Sequence, residues 1–327
     1  MAVKSTTALT LADWGKRKDP DGKVAVITEL LSQTNVILQD MPFVEGNLPT
    51  GHRTTVRSGL PAATWRLLNY GVQPSKSTTV QITDACGMLE SYSEVDKSLA
   101  DLNGNTSEFR LSEDRAFLEA MNQAQATTIF YGDTSVNPQQ FMGLSSRYSS
   151  LSAGNAQNII DAGGTGTDNA SIWLVVWGEN TVHGIFPKGQ KAGLQTQDLG
   201  EQTLIDANGG KYQGYRSHYK WDNGLALRDW RYVVRIANID VSDLDATTPV
   251  DIVKLMIKAL HRIPNRGMGK PVLYMNRTLN EYLDIQSLSK ASLALSVKET
   301  EGEFWTTFRN IPIRETDALL ETEARVV

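Results

Sequence analysis

The sequence of 327 residues contains a single cysteine, Cys86. One thiol cannot form a disulfide within the chain, and it cannot build a zinc site from several cysteines. A chain of this length needs no such link, because it can bury about 75% of its unfolded surface. Its hydrophobic fraction of 40% and its 26 glycines are typical of globular domains, which excludes a disordered or collagen-like chain. At ~150 residues per domain, the length predicts roughly two domains.

Long hydrophobic runs and an excess of positive charge are also missing. The longest purely apolar run covers residues 172–177, whereas a membrane-spanning helix needs about 20 residues. The first ten residues lack the apolar segment of about 7–15 residues typical of a secretory signal. The 32 basic and 37 acidic residues give a net charge of −5, unlike the strongly basic balance of nucleic-acid-binding domains. We therefore expect a soluble protein made in a cytoplasm, without a membrane partner.

Motifs for catalysis or cofactor binding are incomplete. Gly163-Gly-Thr-Gly166 lacks the third glycine and the ribose-binding acid of a dinucleotide loop. Residues 184–190 have the glycine spacing of a phosphate-binding loop, but Gln190 replaces the essential lysine. The four histidines are too far apart in sequence to form a paired zinc motif. We therefore expect a protein that is not an enzyme and has no catalytic residue, cofactor or metal.

One segment leaves an enzyme alternative open. Residues 214–224 are rich in aromatic side chains, and Asp222, Asp229 and Trp230 lie within or just after them. Two carboxylates beside a groove of sugar-stacking aromatic rings would be typical of a glycoside hydrolase. Tyr and Trp are equally enriched at protein–protein contacts. The sequence alone therefore permits either a carbohydrate-active hydrolase or an interaction surface here.

Residues 51–83 predict a long, exposed β-hairpin. Its limbs, 52–57 and 77–83, are rich in β-branched residues. Polar and charged residues lie on both faces, so the hairpin has little core of its own. Two strands alone are marginally stable in water. We therefore expect a surface outside this hairpin to steady it, although the pattern also allows the hairpin to pack on its own domain.

The strongest helical pattern covers residues 112–130. Ser112 can cap it, Glu113 and Asp114 lie in its first turn, and Phe117, Met121 and Ala124 form one stripe with Ala120 beside it. The rest of the chain predicts an α+β body with mixed sheets. Its expected strands are 171–177, 181–186, 225–238, 271–275 and 304–313, and its expected helices begin after Thr248-Pro249 and after Asn276.

Several segments in order resemble the major capsid proteins of short-tailed bacteriophages. They are Phe141-Met-Gly-Leu144 and residues 176–189, 214–239, 271–277 and 311–324. The resemblance implies the Hong Kong 97-type capsid fold, an α+β fold. It implies an N-terminal arm (1–50), an E-loop hairpin (51–85), a P-domain (86–150) with a spine helix (112–130), an A-domain with a mixed sheet (151–300), and a return strand with the C-terminus (301–327).

The function implied by the resemblance is self-assembly into pentamers and hexamers of an icosahedral head that encloses double-stranded DNA. The subunit would be made in the bacterial host's cytoplasm and end in the virion. Its partners would be other copies of itself, a separate scaffolding protein, a portal, a cementing or decoration protein, and DNA bound without sequence preference. We expect no N-terminal trimming. The candidate contact residues between subunits are Arg53, Arg57, Trp65, Arg66, Lys76, Glu113 and Asp114.

Some relatives join their subunits through Lys–Asn isopeptide bonds. Lys76 is a hairpin lysine, but the sequence shows no matching partner, so we predict a non-covalent shell. The alternatives to a shell protein are the hydrolase and another virion component, such as a tail or decoration protein.

Overall fold

The computed structural model describes residues 9–16, 33–206, 208–246, 249–289, 295–300 and 303–327. Much of the expected N-terminal arm and residue Thr248 lie outside these ranges. The helices are α1 (Leu11–Lys16), α2 (Ile37–Asp40), α3 (Lys97–Ala100), α4 (Thr106–Tyr131), α5 (Leu144–Arg147), α6 (Ile252–Arg262) and α7 (Arg277–Ser289).

Thirteen strands form the sheet structure of the described residues. They are β1 (Phe43–Glu45), β2 (Gly51–Gly59), β3 (Thr78–Asp96), β4 (Ile159–Asp161), β5 (Asn169–Trp177), β6 (Val182–Phe186), β7 (Gln195–Ile205), β8 (Lys211–Leu227), β9 (Val233–Asp240), β10 (Lys270–Met275), β11 (Leu295–Thr300), β12 (Glu303–Phe308) and β13 (Ile311–Glu315). The main path runs β11-β12-β13-β10-β5-β6-β8-β3-β2, with β1, β4, β7 and β9 paired to its members.

The pairing is mixed, as the sequence predicts. Strand β10 pairs parallel with β13 and antiparallel with β5. Strand β9 pairs antiparallel with β5 and parallel with β4. Strand β8 is the long central partner, since β3, β6 and β7 all pair with it antiparallel.

Strand β5 lies at the centre of the core, because every one of its residues is buried. Its apolar side chains alternate between two clusters, as the period of a strand requires. Ile172, Leu174 and Val176 pack with α6 and α7, whereas Trp173, Val175 and Trp177 pack with the C-terminal end of α4. Helices thus cover both faces of the sheet, which explains why residues 172–177 of β5 form a continuous apolar run.

Helix α4 is longer than predicted, with 26 residues rather than the 19 of 112–130. It begins at Thr106, so Ser112 is inside the helix and is not its cap. The predicted stripe is correct at Met121, which is buried, but Ala120 and Ala124 are exposed. The face of α4 that packs against the sheet in this region carries Ala126, Ile129 and Phe130 instead.

Two predicted strands are each broken by a turn. The segment 225–238 is not one strand, because Asp229 accepts a hydrogen bond from the backbone N–H of Arg231 and starts a 3₁₀ turn between β8 and β9. The segment 304–313 turns at Arg309 and Asn310, which both have positive φ. Positive φ at both central residues is the geometry of a tight two-residue hairpin turn.

The helix caps are predicted with mixed success. Asn276 caps α7 as expected, since the backbone N–H of Leu279 donates to its Oδ1 at 2.9 Å. The cap of α6 is Asp251, whose Oδ1 accepts from the N–H of Lys254 at 2.9 Å. The expected cap at Thr248-Pro249 is therefore displaced, because Asp251 supplies the carboxylate directly before the first helical residue.

Candidate assembly surface

The hairpin stem is formed by β2 and the start of β3. Its register runs from Gly51 opposite Ala85 to Gly59 opposite Thr78, with a bulge after Arg57. At about 3.3 Å per residue, the nine residues of β2 carry the ribbon roughly 30 Å from the base. Residues 78–83 are exposed on both faces. The stem therefore projects from the body of its own chain, as the sequence predicts.

The hairpin tip, residues 60–77, is exposed at every position. Its few internal contacts include Tyr70 N–H to the carbonyl of Leu67 at 3.2 Å and the hydroxyl of Ser75 to the carbonyl of Ala62 at 3.0 Å. Large apolar side chains are exposed on it: Leu60, Trp65, Leu67, Leu68, Tyr70 and Val72. Large apolar surfaces exposed on a soluble protein usually mark interaction sites, and this short segment exposes six large apolar side chains.

The structure places the basic candidate residues on the stem and tip. Arg53 and Arg57 lie on β2, Arg66 and Lys76 lie in the tip, and all four are exposed. Arg53 donates from Nε to the hydroxyl of Thr83 at 3.2 Å. None of the four forms an ion pair with an acidic side chain of the described ranges. Their charges are therefore available to another molecule.

The acidic candidates lie elsewhere. Glu113 and Asp114 are half-buried on α4, and Asp114 lies within 3.4 Å of the Ser217 hydroxyl on β8. Burial, together with the neighbouring Asp114 carboxylate, raises the pKa of Tyr219 to about 12. Asp114 thus contacts its own sheet, and the structure does not bring it together with the hairpin residues.

A polar cluster fixes the base of the stem. His52 and Asp84 lie opposite each other in the β2–β3 register and are both buried. Arg147 forms an ion pair with Asp84 at 2.8 Å, and Arg228 donates to Nε2 of His52 at 3.1 Å. The hairpin is therefore attached through directional contacts at its base while its tip contacts nothing of its own body.

Both histidines at this base favour the neutral form. Burial lowers the pKa of His52, and the charge of Arg228 lowers it further. Burial lowers the pKa of the adjacent His183 to about 4, with Arg228 and His52 adding to the effect. Since Arg228 can only donate, its hydrogen bond to His52 requires the neutral ring.

Sequence reasoning missed most of the apolar tip. It named Trp65, but it described the hairpin as polar on both faces and did not single out Leu67, Leu68 or Tyr70. The available signal was the run Trp65-Arg-Leu-Leu-Asn-Tyr70 between Pro61 and Pro74. Prolines that interrupt strand pairing leave such a run without a predicted partner in its own sheet.

The carboxylates of the hydrolase alternative have other contacts. Asp222 is buried within β8, 3.2 Å from the ammonium group of Lys220. Asp229 accepts three hydrogen bonds from the guanidinium of Arg231, at 2.9, 3.2 and 2.6 Å. The aromatic segment 214–224 is a paired strand rather than a groove wall.

The described residues also lack two further kinds of feature. They contain no cluster of three or more His, Cys, Asp or Glu side chains suited to a metal ion. No helix within them has both the length and the apolar composition needed to span a bilayer.

The matches to known structures differ in strength. A chain of the bacteriophage epsilon15 structure is 36% identical, with a TM-score of 0.81; the match covers 100% of this chain and 99% of that one. The bacteriophage JBD30 capsid is 11% identical, with a TM-score of 0.48 and coverages of 89% and 92%. The capsid of a native GTA particle is 12% identical, with a TM-score of 0.46 and coverages of 71% and 99%. No curated protein matches the chain.

The match to the epsilon15 chain identifies the fold as the Hong Kong 97-type capsid fold, and the protein is a shell-forming subunit of a bacteriophage virion. The sequence profile described as major capsid protein GP7 matches residues 19–327, and the chain belongs to that family.

Proposed function

We propose that this major capsid protein builds the pentamers and hexamers of an icosahedral head that encloses double-stranded DNA, with each hairpin lying over a neighbouring copy. The observation that carries this proposal is the fully exposed apolar tip at the end of a stem about 30 Å long. The tip is too far from its own body to be covered by it. A second copy of the chain supplies the missing surface.

The energetics favour assembly through many modest contacts. Burying one large apolar side chain contributes about 1.5–3 kcal/mol, and an isolated contact of about 4 kcal/mol is only millimolar. In a closed symmetric array each subunit makes several contacts, and later ones form at high effective concentration. The four exposed basic residues add attraction without large desolvation costs.

The proposal includes a division of the chain into the domains of this capsid fold. The arm is 1–50, the E-loop hairpin 51–85, the P-domain 86–150, the A-domain 151–300 and the return segment 301–327. The hairpin contributes Arg53, Arg57, Trp65, Arg66 and Lys76 to the contacts between subunits. Helix α4 contributes Glu113 and Asp114 at the edge of these contacts.

Other molecules complete the head. Since every copy exposes an apolar tip, ordered growth in the host cytoplasm needs a separate scaffolding protein to suppress wrong associations. A portal admits DNA. The net charge of −5 suits a container that holds DNA without sequence preference, because attraction to phosphate increases with the number of cations engaged.

The experiment replaces residues 60–77 with a short glycine-containing turn and leaves the stem intact. The variant should remain a folded monomer with an unchanged melting temperature, because the tip packs against nothing in its own body. It should form no particles in sedimentation or negative-stain microscopy. Val136→Ala, which trims an exposed apolar side chain elsewhere, is the matched control and should assemble normally. Normal particles from the tip-replaced variant would contradict the proposal.

A further inference from the structure

Two acidic side chains lie side by side at one end of the central sheet. Asp168 directly precedes β5, and Asp240 is the last residue of β9. The antiparallel register places Asn169 opposite Asp240, so the two strands bring both carboxylates to the same end of the sheet. The loop from β4 to β5, residues 162–168, lies against them, since the backbone N–H of Gly166 donates to Oδ2 of Asp240 at 3.3 Å.

The two carboxylates converge on one point beside Gly166. A Cβ added to Gly166 would lie 2.5 Å from Oδ1 of Asp168 and 2.7 Å from Oδ2 of Asp240. Gly166 does not have a positive φ, so the glycine is explained by space and not by backbone conformation. Calcium binds oxygen ligands at about 2.3–2.6 Å. An ion placed just outside this point can therefore contact both carboxylates.

No cation of the chain neutralises this pair. Within the described ranges, neither Asp168 nor Asp240 forms an ion pair with a basic side chain. The hydroxyl of Ser242 donates to Oδ1 of Asp240 at 2.8 Å, and this bond, together with backbone N–H donors, lowers the pKa of Asp240. Asp240 is therefore ionised at neutral pH. Two neighbouring carboxylates repel each other, and a bound cation removes the repulsion.

A buried amide oxygen points into the same loop. Asn169 is 1% exposed, and its Oδ1 has no hydrogen-bond partner in the described part of the chain. This Oδ1 lies 2.8 Å from the position that a Cβ on Gly164 would take, and the Cβ of Asp240 lies 3.0 Å from that position. The Nδ2 of Asn169 donates to the carbonyl of Gly166 at 2.7 Å, which fixes the amide orientation. A buried acceptor without a donor, beside two carboxylates, calls for a cation.

The loop is already fixed by its own hydrogen bonds. The N–H of Gly163 donates to Oδ1 of Asp161 at 2.9 Å, and the N–H of Gly164 donates to the carbonyl of Asn238 at 2.9 Å. The carbonyl of Asp168 accepts from the N–H of Val241 at 3.0 Å. The oxygen ligands are therefore held in place by the fold, and an ion does not have to order the loop.

The type of ligand restricts the metal. All the candidate ligands are oxygens, which suit a hard cation such as calcium or magnesium. Magnesium needs nearly ideal octahedral geometry at about 2.0–2.1 Å, whereas calcium accepts 6–8 oxygens in a flexible arrangement. Asp168 is only half-buried, so water can complete the coordination. The two carboxylates are fewer than the three acids of a typical cluster, which predicts a Kd of about 10⁻⁴–10⁻³ M.

We propose that Asp168, Asp240 and Asn169 form a calcium site that ties the loop before β5 to the end of β9. Water supplies the remaining ligands. The site lies within one chain, so the inference goes beyond the proposed function and does not depend on it. With a Kd in this range, the site is empty at micromolar calcium and filled at calcium concentrations of several millimolar.

Calcium binding to the purified full-length chain tests the proposal. The chain is treated with EDTA, dialysed, and titrated with CaCl₂ by isothermal titration calorimetry. We expect one ion per chain and a rise in melting temperature of about 2 °C at 10 mM CaCl₂. MgCl₂ should give a smaller rise, and NaCl at the same ionic strength should give none. A wild-type chain that neither binds calcium nor gains thermal stability from it would overturn the proposal.

Two variants test the assigned ligands. Asp168→Asn keeps the side-chain shape and removes one charge, and Gly166→Ala puts a methyl group between the two carboxylates. Each should weaken calcium binding at least tenfold and abolish the rise in melting temperature. The matched control is Asp243→Asn, which removes an exposed charge from the adjacent 3₁₀ turn Ser242–Asp245. It should bind calcium within twofold of wild type.

Two results with these variants would overturn the proposal. One is a folded Asp168→Asn chain that binds calcium as wild type does. The other is an equal loss of binding in Asp243→Asn, which would show that calcium responds only to the general negative charge. Circular dichroism without calcium checks the fold. If one site variant does not fold, the other decides, and the wild-type titration stands in either case.

This test is separate from that of the proposed function. The variant in which residues 60–77 are replaced should bind calcium with wild-type affinity, because the hairpin tip is remote from β5 and β9. Failure of that variant to assemble while it binds calcium supports both proposals. Loss of calcium binding from the tip replacement would contradict the assignment of the site to Asp168 and Asp240.

Discussion

The rings of His52 and His183 meet nearly edge to face at the base of the hairpin, with centroids 5.9 Å apart and an interplanar angle of 83°. His52 belongs to the stem and His183 to β6 of the body, so the pair joins the two parts. Both rings are buried beside Arg228. Protonation of either ring would place a second positive charge in this site.

This pair makes the stability of the folded chain dependent on pH. The folded pKa of His183 is lowered to about 4 from an ordinary value near 6.5, so the unfolded state takes up the proton first as pH falls. Above pH ~6.5 the two histidines do not make the free energy of unfolding depend on pH. Between pH ~6.5 and 4 the free energy of unfolding falls as the pH is lowered. The loss from His183 is about 3 kcal/mol.

Chemical denaturation of wild type and His183→Leu across pH 4–8 measures this difference. The variant should show a shallower loss of stability below pH 6.5, because it has one titrating ring fewer. Equal slopes in the two chains would contradict the assignment.

A buried ion pair attaches the C-terminal segment to the sheet. Arg235 and Glu323 lie 2.7 Å apart with both side chains 3% exposed, and the hydroxyl of Tyr131 on α4 also donates to Glu323. Glu323→Leu should lower the free energy of unfolding by about 3–5 kcal/mol, because it leaves the Arg235 charge buried and unpaired. Thermal or urea denaturation measures the loss.

The double variant Arg235→Met with Glu323→Leu provides a control for that prediction, since removing both charges should restore much of the stability. Glu201→Gln, which breaks an exposed pair with Lys97, should change stability little. A single variant as stable as wild type would contradict the structural importance of the buried pair.

Truncating the tip separates folding from assembly. Trp65→Ala and Leu68→Ala should leave the melting temperature unchanged, since both side chains are exposed in the single chain. Each should lower particle yield, and Trp65→Ala more so, because tryptophan anchors dominate interfaces and cost 2 kcal/mol or more (roughly 30-fold) when removed. Val136→Ala is again the control. A large fall in melting temperature would show instead that the tip packs on its own chain.

The basic hairpin residues should control the rate of assembly. Changing Arg53, Arg57, Arg66 and Lys76 together to glutamine should slow particle formation followed by light scattering at low ionic strength. The difference from wild type should shrink near 1 M salt, where the screening length falls to about 3 Å. A defect of the same size at every salt concentration would indicate that these side chains act through packing rather than charge.

The shell should be held without covalent links. Particles boiled in detergent under reducing conditions should give one band at the chain mass of 36.0 kDa. Lys76→Arg should assemble like wild type, because arginine keeps the charge but cannot form the amide link. A ladder of higher bands in wild type that disappears in Lys76→Arg would contradict the non-covalent shell.

The sequence was sufficient to predict the hairpin, because its β-branched limbs and the prolines between them are local signals. It did not predict that the second limb continues as β3 to Asp96. That extension is set by eleven paired residues with β8, a strand far away in sequence. Local patterns carry no information about such a partner.

The start of α4 was not predicted correctly, for a different reason. Ser112, Glu113 and Asp114 resemble a helix start, yet the helix begins six residues earlier and the Ser112 hydroxyl lies buried without a partner in the described ranges. A Ser-Glu-Asp sequence is compatible with a helix interior when packing favours continuation.

The most direct measurement is a cryo-electron microscopy map of the assembled particle in which each hairpin can be traced from stem to tip. The account predicts that the ribbon crosses to an adjacent subunit and that Trp65 is buried against that subunit. A ribbon that lies back along its own chain, or that projects into solvent with its apolar tip uncovered, would contradict it.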